Sequence, residues 1–176
     1  MDTLPFKRLI EPETRADAPQ VERVVGRAFG PGRYTKTAER LRENSLPYAD
    51  LSFVARHLPE KGGEGQLVAS VRLWPVFIHN PVLETQTEVA FLGPIAVDPE
   101  CQSKGIGRVL VEAALAAAFD KGLVAVLLVG TPAYFEKFGF AVAEALSLPG
   151  PVDYRRVMIC YNPAYQGKSL TGTVRR

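Results

Sequence analysis

The chain reads Leu92-Gly93-Pro94-Ile95-Ala96-Val97-Asp98-Pro99-Glu100-Cys101-Gln102-Ser103-Lys104-Gly105-Ile106-Gly107-Arg108 across its most chemically informative stretch. An apolar run ends at Asp98-Pro99, a short loop carries Gln102, Lys104, Gly105 and Gly107, and from Val109 the apolar spacing is helical. A strand that feeds a glycine-bearing loop into a helix start gathers main-chain N–H groups and the positive end of the helix dipole at one point. Phosphate oxygens bind at such points. The glycines permit close approach of an anion, and Lys104 and Arg108 flank it with positive charge. This pattern points to a phosphorylated cofactor; its bland alternative is a glycine-capped turn with solvated basic residues.

The second chemical feature is Gly93-Pro94, which interrupts a strand expected over residues 85–97. Proline donates no ladder bond and glycine accepts unusual dihedrals, so a bulge is expected there. A bulge bends this strand away from the later one at residues 124–129 and leaves a cleft with unpaired main chain. An amide-bearing ligand arm can complete such a ladder. Alternatively, the bulge only adds twist.

The elements that must position these features follow from pattern and punctuation. A first strand is expected over residues 6–10. A helix follows, capped by Thr14 or Asp17 with Pro19 in its first turn, its apolar stripe Val21, Val24, Val25 and Phe29 stopped by Gly30-Pro31-Gly32. A more polar helix covers residues 37–42. Strands are predicted at 51–57 and 67–78, joined through the turn-rich segment 59–65, with a bulge or edge exposure at Pro75. The clearest helix covers residues 109–121, with Val109, Leu110, Ala113, Ala114, Ala117 and Ala118 as its packing face and Gly122 after its end. Residues 124–129 form a continuous apolar run, as in a central strand buried on both faces. A short helix at 133–137 and a last strand at 157–161 complete the order. It describes a mixed α/β domain, antiparallel early, with a βαβ crossover late.

Composition narrows the function classes. The 176 residues are 47% hydrophobic and 23% charged, with a formal net charge of +2, which implies no nucleic-acid or membrane partner. No apolar run approaches the roughly 20 residues of a bilayer span, and the N-terminus lacks a secretory pattern. Cys101 and Cys160 match no metal or redox spacing, and His57 and His79 share no ligand spacing with them, so no metal is expected. A reduced, cytoplasmic location is the expectation.

Residues 95–99 followed by Gln102-Ser103-Lys104-Gly105-Ile106-Gly107 resemble the acyl-CoA signature Q/R-x-x-G-x-G/A of the GNAT N-acetyltransferase superfamily. Tyr134-Phe135-Glu136-Lys137-Phe138-Gly139-Phe140 is similar to the family's aromatic-x-x-(Phe/Leu)-Gly-Phe element, at a fitting distance. Residues 92–97 and 130–134 further resemble a bacterial branch of predicted acetyltransferases. The resemblance is strongest over residues 88–145. It implies an α/β (α+β) fold in one domain over residues 1–161. Its sheet would be mixed, mostly antiparallel and twisted, with splayed fourth and fifth strands and flanking helices. Residues 162–176 are expected as an extended tail.

The same resemblance implies acetyl-CoA, or coenzyme A, as co-substrate. Its binding residues would be Ile95, Ala96 and Val97 for the pantetheine arm, through the main chain of Ile95 and Val97. Gln102, Ser103, Lys104, Gly105, Ile106, Gly107 and Arg108 would hold the diphosphate end. The thioester would reach Leu92, Gly93 and Pro94, where main chain polarises its carbonyl. The implied reaction is N-acetylation of a primary amine, small-molecule or peptide, by direct attack, with no covalent enzyme intermediate.

The chain departs from the family pattern at the catalytic positions. Relatives that use a tyrosine as acid carry it five positions before the phenylalanine ending the aromatic element; here Phe135 stands there, and Tyr134 one residue earlier. One residue is about 100° of helical rotation, yet Tyr134 is the best acid candidate. Relatives with a strand-four carboxylate have it fourteen positions before the first loop glycine, where this chain has Phe91. Glu84, Glu88 and His79 are nearby surface residues, and no base is assigned. Trp74 lines an acceptor pocket or packs; Arg72 and Arg33 hold an acidic acceptor group or are solvated; Cys101 is not needed. The departures leave a non-catalytic acyl-CoA sensor as the alternative. A dinucleotide domain fits worse, because G-x-G-x-x-G requires glycine where Leu110 stands. The acceptor is expected to be selected by residues 30–50 and 75–90. The protein is expected as a monomer or homodimer, with the strand-like segment 170–174 able to pair with a partner.

Overall fold

A computed structural model describes residues 8–32, 37–58 and 65–176. In chain order it contains β1 (Arg8–Pro12), α1 (Ala18–Phe29), α2 (Thr37–Arg40), β2 (Phe53–His57), β3 (Gln66–Asn80), β4 (Thr85–Val97), α3 (Ile106–Asp120), β5 (Ala125–Val129), α4 (Pro132–Phe135), β6 (Ala141–Val142), β7 (Leu146–Ser147), β8 (Val157–Tyr161) and β9 (Gly172–Arg175). Phe6 and Lys7 of the expected first strand, Arg33 and the turn-rich residues 59–64 lie outside the described residues.

The strands form one mixed sheet in the order β1-β2-β3-β4-β5-β8-β6, with β9 on β3 and β7 on β9. Neighbours are antiparallel except β4–β5 and β7–β9. The parallel β4–β5 pair is the crossover made through α3, since strands joined by a helix can run the same way. The expected mixed, mostly antiparallel sheet with flanking helices is the observed fold.

Burial follows the alternation of the strands. On one face, Leu110, Val111, Ala114, Leu115 and Ala118 of α3 pack with Val71, Leu73, Leu92, Val126 and Leu128. On the other, Val76, Ile78, Val89, Phe91, Leu127 and Val157 form a second cluster. β5 gives Val126 and Leu128 to one face and Ala125 and Leu127 to the other, which is why its sequence is uniformly apolar. Val21, Val24 and Val25 of α1 close a smaller cluster on Val54, Leu67 and Ala96. Among the described residues no helix is long and apolar enough to cross a membrane.

Four expectations change or are narrowed. α3 begins at Ile106, because Gly105 at φ +74° turns the loop straight into the helix, and its packing face is shifted so that Val109 is 42% exposed. Phe29, expected in the α1 stripe, is also 42% exposed. At Pro75, of the bulge or edge exposure expected, the structure takes the second: the proline stays in register opposite Ala90. It lies between Val71, the last β3 residue paired with β2, and Phe77, the first paired with β9, where no described strand needs its missing donor.

The fourth change concerns residues 162–176, which do not simply run out as a tail. Phe77, Ile78 and His79 pair with Arg175, Val174 and Thr173 of the same chain, and the Val174 side chain is 1% exposed in the second cluster. An apolar strand edge is better covered than left open. Val174→Ala is expected to destabilise the protein by about 1–3 kcal/mol in urea unfolding. Val82→Ala, at a site 88% exposed, is expected to change it by less than about 0.5 kcal/mol.

Candidate functional site

The site begins with a mismatch in the β3–β4 ladder. Val71 pairs with Ile95 and Leu73 with Leu92, so Gly93 and Pro94 together oppose Arg72 alone. This is the expected bulge, one extra residue that bends β4. Gly93 takes φ +132°, a conformation that side chains strongly disfavour. Its carbonyl accepts a 2.6 Å bond from the Trp74 indole N–H. Trp74 therefore fixes the bulge from within the core instead of lining an acceptor pocket.

Beyond the bulge the strands part. β4 pairs with β5 only at Ala90–Val126 and Phe91–Leu127. The Asp98 N–H bonds to Val68 O at 2.8 Å, towards β3. Main-chain groups alternate sides along a strand, so those of Ala96 also face β3 and those of Ile95 and Val97 face the gap. A cavity of about 660 Å³ opens there, lined by Ile95 and Val97 on one side and Leu128, Val129 and Gly130 on the other. Ala96 is a correction: its side chain is fully buried under α1 and its main chain belongs to the β3 ladder.

The loop closes one end of this cavity. Asp98 is buried, accepts the Glu100 N–H at 3.1 Å and pairs with Arg27 of α1 at 2.7 Å, which anchors the loop's first corner. Gly105 ends the loop in the left-handed region, and the first bond inside α3 runs from Val109 N–H to Gly105 O at 3.3 Å. The amides of Ile106, Gly107 and Arg108 precede it, so no earlier turn of the helix supplies them with carbonyls. Gln102 and Gly107 line the cavity; the Gln102 side-chain amide donates to Val97 O at 3.3 Å. Ser103 is exposed at φ +61°.

The flanking side chains are placed differently from expectation. Lys104 lines a separate cavity of about 230 Å³ with Cys101, His57 and Glu100, and its ammonium donates to Glu100 O at 3.3 Å. Ile106 buries its side chain in the core and offers only main chain. Arg108 pairs with Glu112 at 2.8 Å along the exposed surface of α3.

Tyr134 lines the cavity, so the rotation of one residue does not carry it away. Its ring stands edge-on to Phe135 at 4.9 Å, with the Lys137 ammonium 4.1 Å from its centre. A Cβ added at Gly107 would lie 3.3 Å from the Tyr134 hydroxyl and 3.7 Å from Val97 Cγ2. The hydroxyl is thus at the loop end. Gly93 and the bulge lie four residues back along β4 from Val97. Burial raises the tyrosine's pKa above 10.0, and Glu112 adds to the shift while Arg108 opposes it.

The opposite end is charged; sequence reasoning reached it only as residues 30–50, without naming Glu39 or Arg42, and missed residues 151–156. Glu39 and Arg42, Asp153 and Arg156, with Phe29 and Pro151, line the cavity beyond the bulge. Arg42 pairs with Glu39 at 2.9 Å and stands 5.4 Å from the centre of the Phe91 ring. Asp153 is held by Arg155, whose bond keeps its carboxyl below the usual range. The i, i+3 spacing of Glu39 and Arg42 was the only local signal for their pairing; nothing local indicated that residues 151–156 face α2. The other surface candidates sit elsewhere. Arg72 is bound by Glu13 and Glu22, Glu88 accepts from the Tyr48 hydroxyl, and His79 lies in the β3–β9 ladder. Glu84 is exposed at the β3–β4 turn. Among the described residues, no cluster of three His, Cys, Asp or Glu side chains can hold a metal.

Comparison with known proteins agrees with this geometry. The model of the acetyltransferase (GNAT) family matches residues 19–140. The uncharacterized N-acetyltransferase YhbS of Escherichia coli is 30% identical over 135 residues, 77% of this chain and 74% of that protein. The crystal structure of Escherichia coli YhbS in complex with CoA superposes with a TM-score of 0.76 at 24% identity, covering 97% of this chain and 89% of that one. A GNAT family acetyltransferase from Brucella melitensis in complex with acetyl-CoA gives 0.66 at 22% identity, covering 97% and 96%.

Because Trp74 holds the bulge, Trp74→Phe is expected to leave the buried Gly93 carbonyl without its donor. The expected cost is about 1–3 kcal/mol in chemical unfolding.

Proposed function

The chain belongs to the GNAT acetyltransferase family, and on that premise we propose that it is an acetyl-CoA-dependent N-acetyltransferase acting on a primary amine. The observation that carries this reading is the main chain of Ile95 and Val97, which pairs with no strand on that side and faces β5 across an open gap leading to the first amides of α3. These features fit an acyl-CoA. A polyamide arm suits strand edges that have parted, and a diphosphate suits helix amides reached past a glycine. The CoA and acetyl-CoA held by the solved relatives support the same occupant.

In this reading Ile95 and Val97 hold the arm, and the amides of Ile106, Gly107 and Arg108 hold the diphosphate, with Gln102 and Ser103 beside them. Bound there, acetyl-CoA supplies an acetyl group activated as a thioester, which an amine attacks directly. The acceptor enters from the side of Phe29, α2 and residues 151–153. Gln102 must release Val97 O or share it with the arm.

Tyr134 is better suited to hold the cofactor than to protonate its departing sulfur, because its hydroxyl lies at the Gly107 end of the cavity. Tyr134→Phe is expected to weaken CoA binding about 2- to 10-fold, the worth of one hydrogen bond, with turnover at saturation little changed. A loss of about 100-fold or more in turnover with unchanged CoA affinity would assign it as the acid instead. Its raised pKa means that the donating, neutral form persists as pH rises. The difference in CoA affinity between wild type and Tyr134→Phe should therefore stay constant up to at least pH 10.0, the ordinary tyrosine value, and narrow only above it.

One observation favours a non-catalytic sensor on the same fold: Phe91 and Phe135 stand at the positions implied for a base and an acid. Thermal unfolding and thiol release separate the readings. CoA at about 100 times its dissociation constant should add roughly 2.7 kcal/mol of stability, and NAD none. Thiol release with a panel of primary amines supports the enzyme; CoA binding without turnover on any amine supports the sensor; and no stabilisation by CoA overturns both.

A further inference from the structure

Arg42 places a buried cation at the bulge. Its side chain is only 10% exposed, and Nη1 donates to Glu39 Oε1 at 2.9 Å. The guanidinium carbon stands 5.4 Å from the centre of the Phe91 ring. A Cβ built on Gly93 would lie 2.7 Å from Nη2, so that nitrogen rests against the bulge itself. The Gly93 carbonyl already has a donor in Trp74, so Arg42 is not required there to satisfy the main chain. Arg42, Glu39, Phe91 and Gly93 all line the cavity.

We propose that Arg42 binds the acyl carbonyl oxygen of the thioester and stabilises the negative charge that develops on it, and that Glu39 is the positioning residue that fixes the guanidinium. The inference rests on the acetyl-CoA reading above and adds a residue to it. In the transfer, the amine nitrogen bonds to the acyl carbon, the carbon–sulfur bond breaks, the nitrogen loses one proton and the sulfur gains one, giving amide and thiol. Charge gathers on the acyl oxygen while both bonds are partial. A fixed N–H donor of a charged group counts for more there than in water, because Phe91 and the core beneath exclude solvent. Glu39 removes the rotational freedom of the long side chain, so the donor is in position before charge develops.

The test reads the carbonyl directly. Acetyl-CoA labelled with carbon-13 at the thioester carbonyl is bound to the whole chain, and its stretching band is measured by isotope-edited infrared spectroscopy. In the wild type the band is expected at lower frequency than for acetyl-CoA in buffer. Arg42→Gln should return most of that shift with CoA affinity changed less than about 3-fold. Arg42→Lys should keep part of it, and Glu39→Gln should give a broadened, intermediate band. With methylamine, which needs no acceptor contacts, Arg42→Gln should lower kcat by about 100-fold or more, as loss of one such donor does.

A wild-type band position in Arg42→Gln overturns the proposal while leaving the acetyltransferase reading intact. Should Arg42→Gln fail to fold, unchanged bands in both Arg42→Lys and Glu39→Gln overturn it equally. Absence of acetyl-CoA binding to the wild type, seen as no thermal stabilisation, removes the reading itself and this inference with it.

Discussion

One surplus residue in β4 organises the molecule. Gly93 and Pro94 share the place opposite Arg72, and a ladder cannot absorb two residues against one without bending. The bend leaves β4 and β5 joined at Ala90 and Phe91 and parted beyond them. Ile95 and Val97 then present main chain that no strand of the sheet uses. Trp74 makes the arrangement durable, since its indole N–H satisfies the Gly93 carbonyl inside the core. Cavity, unpaired edge and access to the first turn of α3 are consequences of that local mismatch.

The cavity has two unlike ends because different elements reach it. The loop end is made of glycine, main-chain amides and the Tyr134 hydroxyl, a surface of donors with few formal charges. Of the basic side chains expected there, Lys104 lies over a neighbouring cavity, and Arg108 pairs with Glu112 while acting electrostatically on Tyr134. What this end presents is chiefly a helix terminus. At the bulge end the polarity is ionic: Glu39 arrives from α2, Arg42 from the turn after it, and Asp153 and Arg156 from the segment before β8. The division suits a long ligand entering at one end and a polar reactant meeting it from the other.

Much of the frame was legible because its causes are local. The bulge at Gly93-Pro94 follows from two residue types with opposite backbone demands. The double burial of β5 shows as an unbroken apolar run. Gly105 and Gly107 before an alanine-rich helix mark a loop-to-helix junction. Other features were left open or misread where a local rule was right but its context was missing. Pro75 allowed a bulge or an exposed edge, and only the fold selects the second, because the edge it faces carries no described strand at that point. Val109 fits the helical stripe by type, but the packed face is centred on Leu110, Val111, Ala114 and Ala118, which leaves Val109 42% exposed.

By itself, then, the chain determined the order of its longer strands and helices up to β8, without the short β6 and β7, together with the position of the bulge, the glycine-bearing loop before α3 and the aromatic element that resembles the GNAT family. Each depends on neighbours within a few residues, where backbone preference and side-chain periodicity act directly. Tertiary structure alone decided that residues 172–175 return to cover β3, and that Tyr134 meets Gly107. It also decided that Arg42 rests against Gly93, about fifty residues away in the chain. Those contacts are chosen by how helices pack on a bent sheet, a long-range condition that no short window of sequence encodes.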